Sequence, residues 1–208
     1  MDCVVLELQK EALDKNADIE SLLRKAYAIA RKLKLSEFEE WVQCEQKGYG
    51  EKAVPGYRMV RGQMEALNPI RGWLPVVIGY SMPENFFERT KLSNPIPELR
   101  DLCRDDDSHM VVVHLPSIRN KYILKCYGVG TQFRLRFEKN QAYSILNTVR
   151  NNILEWSLML EENGIVGKNY AFSDDEKKIA QEKTEIVNYT SNFWNNTEEV
   201  QAQQENNL

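Results

Sequence analysis

The sequence is poor in the residues that assemble most catalytic and metal centres. Its 208 residues include two histidines, His109 and His114, and four cysteines, Cys3, Cys44, Cys103 and Cys126. The cysteines lie far apart and form no CxxC pair, which argues against a zinc site or a disulfide framework and for buried thiols in a reducing compartment. The histidines are separated by an odd number of positions, so a regular strand would put them on opposite faces, away from a shared metal or a Ser-His-Asp arrangement. A phosphate-binding glycine loop, an HExxH pair and a G-x-S-x-G elbow are all missing. No apolar run approaches the roughly 18 residues of a spanning helix. The first residues carry no basic leader and place Glu7 inside their apolar part, so the expectation is a cytoplasmic chain with no membrane contact.

What is present is ordinary for a globular protein: 42% hydrophobic and 28% charged residues, with a mean hydropathy of −0.53. A net charge of −4 and a pI near 5.4 argue against a non-specific nucleic-acid binder, although they allow a local basic patch.

The first third reads as helical. Val4, Val5, Leu8 and Ala12 recur at helical spacing over residues 3–13. After a polar break at 14–18, Asp18 starts a longer helix with Leu22, Leu23, Ala26, Ile29, Ala30 and Leu33 on one stripe and a basic face opposite. Ser36 followed by Glu39 has the capping-box pattern, predicting a third helix to about Lys47 that ends at Gly48. Phe38, Trp41 and Val42 are its packing residues, with Glu45 on the same side.

Beyond a loop marked by Gly50, Pro55 and Gly56, residues 57–67 alternate as a strand. Tyr57, Met59, Arg61, Gln63, Glu65 and Leu67 share one face; Arg58, Val60, Gly62, Met64 and Ala66 share the other. Asn68-Pro69 signals a turn, and a hairpin across residues 68–73 would bring in a second extended run, delayed to Val76, Val77 and Ile78 by Gly72-Trp73-Leu74-Pro75. Short helical turns are expected at 84–89 and 96–103, strands at 110–115 and 132–137, and either helix or strand at 122–127. Asp105-Asp106-Asp107 reads as a solvated turn rather than a metal site, because consecutive carboxylates diverge.

The clearest element is the last core helix. Leu146, Val149, Ile153, Trp156 and Leu160 alternate steps of three and four, and Gly164 stands where a C′ glycine belongs, with Ile165 packing back. Residues 173–184 predict one further exposed helix capped by Ser173. From Asn188 onward the chain is an Asn-, Gln- and Glu-rich tail with one aromatic pair, Phe193-Trp194. The expected organisation is α+β: a domain over 1–172 with a helical N-terminal part, a small antiparallel sheet and a long C-terminal core helix, then an extension over 173–208.

Candidate chemistry centres on residues 38–77. Trp41, Tyr49, Tyr57, Arg58, Arg61, Arg71 and Trp73 combine arginines with aromatics, a set that serves structural stacking, protein interfaces or nucleotide binding. Acidic-x-Lys triplets such as Glu45-Gln46-Lys47 and Asp175-Glu176-Lys177 occur in nucleases, and by chance in any charged protein. No catalytic residues, metal or cofactor are assigned.

The blocks LLRKAYAIARKL, FEEWVQCEQKGYG, PGYRMVRGQM, NPIRGWLPV and TVRNNILEWSLMLEENGI, in this order over about residues 5–172, resemble the AbiTii family of bacterial abortive-infection proteins. The resemblance implies a role in defence against phage and carries over no catalytic residues. The positions it transfers are pattern positions: Trp41, Gly48, Tyr49, Tyr57, Arg58, Arg61, Gly62, Asn68, Pro69, Gly72, Trp73, Arg150 and Trp156. The resulting expectation is a non-enzymatic defence component that associates with a protein from a defence operon or with itself. A nucleic-acid-directed effector using Arg58, Arg61 and Arg71, with nuclease activity as one form, is the alternative.

Overall fold

The structure is a computed structural model; residues 3–76, 89–104, 108–114, 131–183, 186 and 189 are described. Among them are six helices, α1 (Val4–Leu13), α2 (Ile19–Leu33), α3 (Ser36–Lys47), α4 (Ile96–Leu102), α5 (Lys139–Glu162) and α6 (Asp174–Glu182), and five strands, β1 (Met59–Asn68), β2 (Gly72–Pro75), β3 (Arg89–Lys91), β4 (Met110–His114) and β5 (Phe133–Glu138). The class is α+β with an antiparallel sheet. Two compact units share the chain discontinuously: residues 1–58, 93–99 and 144–208 form the first, and residues 59–92 and 100–143 the second.

The first unit is helical. The stripe of α2, from Ile19 through Leu33, is fully buried, and its start is capped by the Asp18 carboxylate, which accepts from the Ser21 amide at 2.9 Å. Trp156 of α5 is completely buried and stacks on Phe38 of α3, with ring centroids 3.9 Å apart and planes 16° from parallel. Gly164 adopts a positive φ of 75° after α5, and the Ile165 amide returns to the Leu160 carbonyl at 2.9 Å, ending the helix as the sequence predicts. Arg150 of α5 donates to the Asp14 and Ala17 carbonyls at 3.0 and 2.8 Å and to that of Glu11 at 3.3 Å, tying down the turn between α1 and α2.

One expected cap does not form. Ser36 is the first helical residue of α3, and Leu35 holds the cap position with no side-chain bond. Lys34 ends α2 in the left-handed region and Leu35 is buried immediately after it, so the one-step link fixes which residue precedes the helix. Glu39 turns instead to Arg31 and Gln43, at 3.3 Å each. The capping box forms at α6, where Ser173 and Glu176 exchange bonds. There Ala180 and Ile186 are buried and Gln181 donates to the Leu33 carbonyl at 3.2 Å.

The second unit holds the sheet, ordered β2-β1-β5-β4, with β3 pairing the start of β1; every pairing is antiparallel. The hairpin between β1 and β2 closes as Asn68 Oδ1 accepts from the Ile70 and Arg71 amides at 2.9 Å. Gly72 has a φ of 76° and pairs with Asn68. The extended run thus begins at Gly72, four residues ahead of expectation, and Pro75 is accommodated because β2 pairs β1 on one side. Tyr57 and Arg58 form one 3₁₀ turn rather than a strand start, as the Arg58 amide folds back to the Pro55 carbonyl at 3.1 Å. Arg89 opens β3 instead of ending a helical turn. The expectations for residues 77–78, 84–88, 105–107, 115, 122–127 and 184, for the Cys126 thiol and for the Phe193-Trp194 pair lie outside the described residues.

Alternation gives the sheet one buried face, with Val60, Met64, Val111, Val113, Phe133, Leu135 and Phe137. Gly62 lets β1 and β5 approach closely: a Cβ there would lie 2.5 Å from the Arg136 carbonyl oxygen and 2.8 Å from Phe137 Cβ.

Candidate functional site

The seven residues singled out in the sequence separate into two groups. Trp41, Tyr49, Tyr57 and Arg58 belong to the first unit, where they converge on Glu45. Helix α3 puts Trp41 and Glu45 on one side, four residues apart; Tyr49 follows the Gly48 that ends the helix, and the 3₁₀ turn delivers Tyr57 and Arg58. Glu45 Oε1 accepts from the hydroxyls of Tyr49 and Tyr57 and from Arg58 Nε at 3.1 Å, while Oε2 accepts from Arg58 Nη2. Trp41 Nε1 donates to the Tyr57 oxygen at 2.9 Å, and Arg58 Nη1 donates to the Asn94 carbonyl at 2.7 Å. The guanidinium also lies 4.8 Å from the Tyr49 ring centre.

Glu45 and Arg58 are completely buried. Two charges can leave water together only when each is paired and hydrogen-bonded, and this network meets that condition. Burial opposes the charge on Arg58, but the attraction and hydrogen bonds of Glu45 outweigh it and raise the guanidinium above its ordinary value. Burial, and then the negative charge of Glu45, push both tyrosine hydroxyls far up. They remain neutral donors, and the polar atoms of the cluster face one another.

Arg61, Arg71 and Trp73 belong to the second unit. Arg61 is exposed, and its backbone is bracketed by the Gln141 side chain, with two bonds of 2.8 Å. Arg71 is exposed at the hairpin tip. Trp73 sits on the face of the sheet opposite its apolar side, where strand register brings it residues that sequence spacing could not.

Glu65 pairs across strands with Arg134, which pairs with His114; in the next same-face row Gln63 pairs with Arg136 and Arg136 with Val112. Arg134 Nε donates to Glu65 Oε2 at 2.6 Å, and Arg136 Nε lies 3.4 Å from Oε1. The Arg134 guanidinium is 4.2 Å from the Trp73 ring centre, and the His114 ring is centred 6.0 Å from the indole at a tilt of 60°. The Glu65 side chain is 6% exposed, Arg134 23% and Arg136 47%. One buried carboxylate therefore anchors two arginines, one held against Trp73 and one reaching solvent. The alternation of Arg134 and Arg136 against Phe133, Leu135 and Phe137 signals this face, but only register joins it to Glu65 and Trp73.

Cys44 and Cys103 are buried free thiols that burial pushes up, and Cys3 is a half-buried free thiol. Among the described residues no group of three or more His, Cys, Asp and Glu is placed to hold a metal ion, and no helix is long and apolar enough to cross a membrane.

The AbiTii family model matches residues 4–185. The match includes both units and extends through α6. No curated protein and no solved structure matches the chain significantly.

Proposed function

The chain belongs to the AbiTii family of abortive-infection proteins, and from that premise we propose that it acts in antiphage defence through protein association, as a sensor or adaptor in the cytoplasm. The observation that supports association is a seam of outward-facing leucines in the helical unit. Helices α1 and α5 run in opposite directions there: Gln9 donates to the Ser157 carbonyl at 3.1 Å and to Glu161 at 2.9 Å, while Arg150 meets the far end of α1. Leu6, Gln9 and Leu13 form one stripe of α1, and Leu154, Leu158 and Glu161 one stripe of α5. Leu6 is 39% exposed, Leu13 72% and Leu158 37%.

Apolar side chains exposed along two paired helices, with a polar pair such as Gln9 and Glu161 set between them, are the material of a contact with a second protein. A second copy of the chain and an effector from the same defence system are both candidate occupants. A photo-crosslinking amino acid at Leu13, activated during infection, tests the reading. Capture of a discrete partner or a second copy is expected; a chain that remains uncrosslinked before and during infection would contradict it.

A further inference from the structure

The charge of this acidic protein is divided unevenly. Residues 59–92 and 100–143, the sheet unit, contain twelve lysines and arginines against eight aspartates and glutamates, a net +4; the other residues contain fifteen against twenty-three, a net −8. The overall −4 therefore conceals a basic unit. Charge separated in this way points that unit toward a polyanion.

The polar face of the sheet has, among the described residues, the groups to bind one. Trp73 is half-buried, and Arg134 braces it from 4.2 Å while Glu65 holds Arg134 in place. Arg136 shares the same carboxylate but is 47% exposed, leaving its outer nitrogens to meet an anion. His114 and Gln63 add hydrogen-bonding groups in the neighbouring same-face positions. A flat aromatic on an antiparallel sheet, held by a cation and flanked by a solvent-facing arginine, suits an unstacked base followed by a phosphate. A duplex keeps its bases stacked within the helix, and a sheet face with one aromatic platform cannot reach them.

We infer that this face binds single-stranded nucleic acid, with a base stacked on Trp73 and a backbone phosphate at Arg136. The inference stands apart from the association reading, which rests on the leucine seam of the other unit. It assigns binding and no cleavage.

The test is fluorescence anisotropy of the full-length protein with labelled twelve-nucleotide oligo(dT) and oligo(rA), a twelve-base-pair duplex, and poly-glutamate of matched charge, across a salt series. Single strands should bind more tightly than either control. Trp73→Ala should weaken them by about ten- to a hundredfold, with Trp73→Tyr restoring part of the loss. Arg136→Ala should lower the slope of log affinity against log salt by about 0.7, as for one lost phosphate contact. Leu13→Asp should bind as the parent does. Equal or tighter binding of poly-glutamate would overturn the inference and assign the face to an acidic protein. So would equal binding of the duplex, or single-strand affinity unchanged in both Trp73→Ala and Arg136→Ala.

Discussion

Glu45 and Arg58 form an ion pair from which water is completely excluded, thirteen residues apart in sequence and joined through two oxygens of one carboxylate. Tyr49 and Tyr57 add bonds to the carboxylate, and the Asn94 carbonyl adds one to the guanidinium. The pair fastens helix α3 to the 3₁₀ turn that precedes the sheet.

Removing one partner leaves the other charged and buried. Arg58→Met should destabilise the protein by about 3–5 kcal/mol. The double variant Glu45→Leu/Arg58→Met should lose less than the sum of the single variants, because it strands neither charge. Chemical denaturation of the three variants checks this, and simple additivity would show that the two side chains are not coupled.

At Gly62, β1 and β5 approach too closely to admit a side-chain carbon without a shift. In Gly62→Ala the new methyl meets the Arg136 carbonyl and Phe137 Cβ inside normal contact distance, so the strands must separate. A loss of about 1–3 kcal/mol is expected, with a lower thermal midpoint. An unchanged midpoint would mean that the strands pair differently.

Glu176 accepts from the amides of Val166, Gly167 and Ser173 and from the Ser173 hydroxyl, at 2.8–3.0 Å. Burial alone would raise its carboxyl, but these bonds prevail and hold it below the ordinary value of 4.5. A depressed carboxyl stabilises the fold above its unfolded value, and that contribution disappears as pH falls from 4.5 through the folded one. Stability measured from pH 6 downward should therefore decline less steeply in Glu176→Gln than in the parent, from a lower starting point. Parallel curves would contradict the assignment.

Helical periodicity made α1, α2 and α5 legible, because each buries one continuous stripe. Alternation and an Asn-Pro turn did the same for β1 and for the turn that follows it, but not for β2, whose Gly72-Trp73-Leu74-Pro75 reads as a delay before the strand. What stayed hidden depends on pairing at a distance. Glu65 meets Arg134 across 69 positions, and nothing in the spacing of either names the other. The three-residue β3 is too short to show a period, and the Ser36-Glu39 pattern was overruled by the burial of Leu35. The seven candidate residues looked like one constellation because they are neighbours in sequence. The chain passes from one unit to the other at Arg58 and Met59, which leaves four of them around Glu45 and three in the sheet unit, where Trp73 joins Arg134.

If the leucine seam carries an association needed for protection, changing it should alter the efficiency of phage plating. In cells carrying the gene at its native locus, Leu13→Asp and Leu158→Asp alter exposed positions, so the variants should fold as the parent does, checked by circular dichroism. Plaque numbers are expected to rise to those of cells lacking the gene. Full protection by both folded variants would contradict a role for the seam.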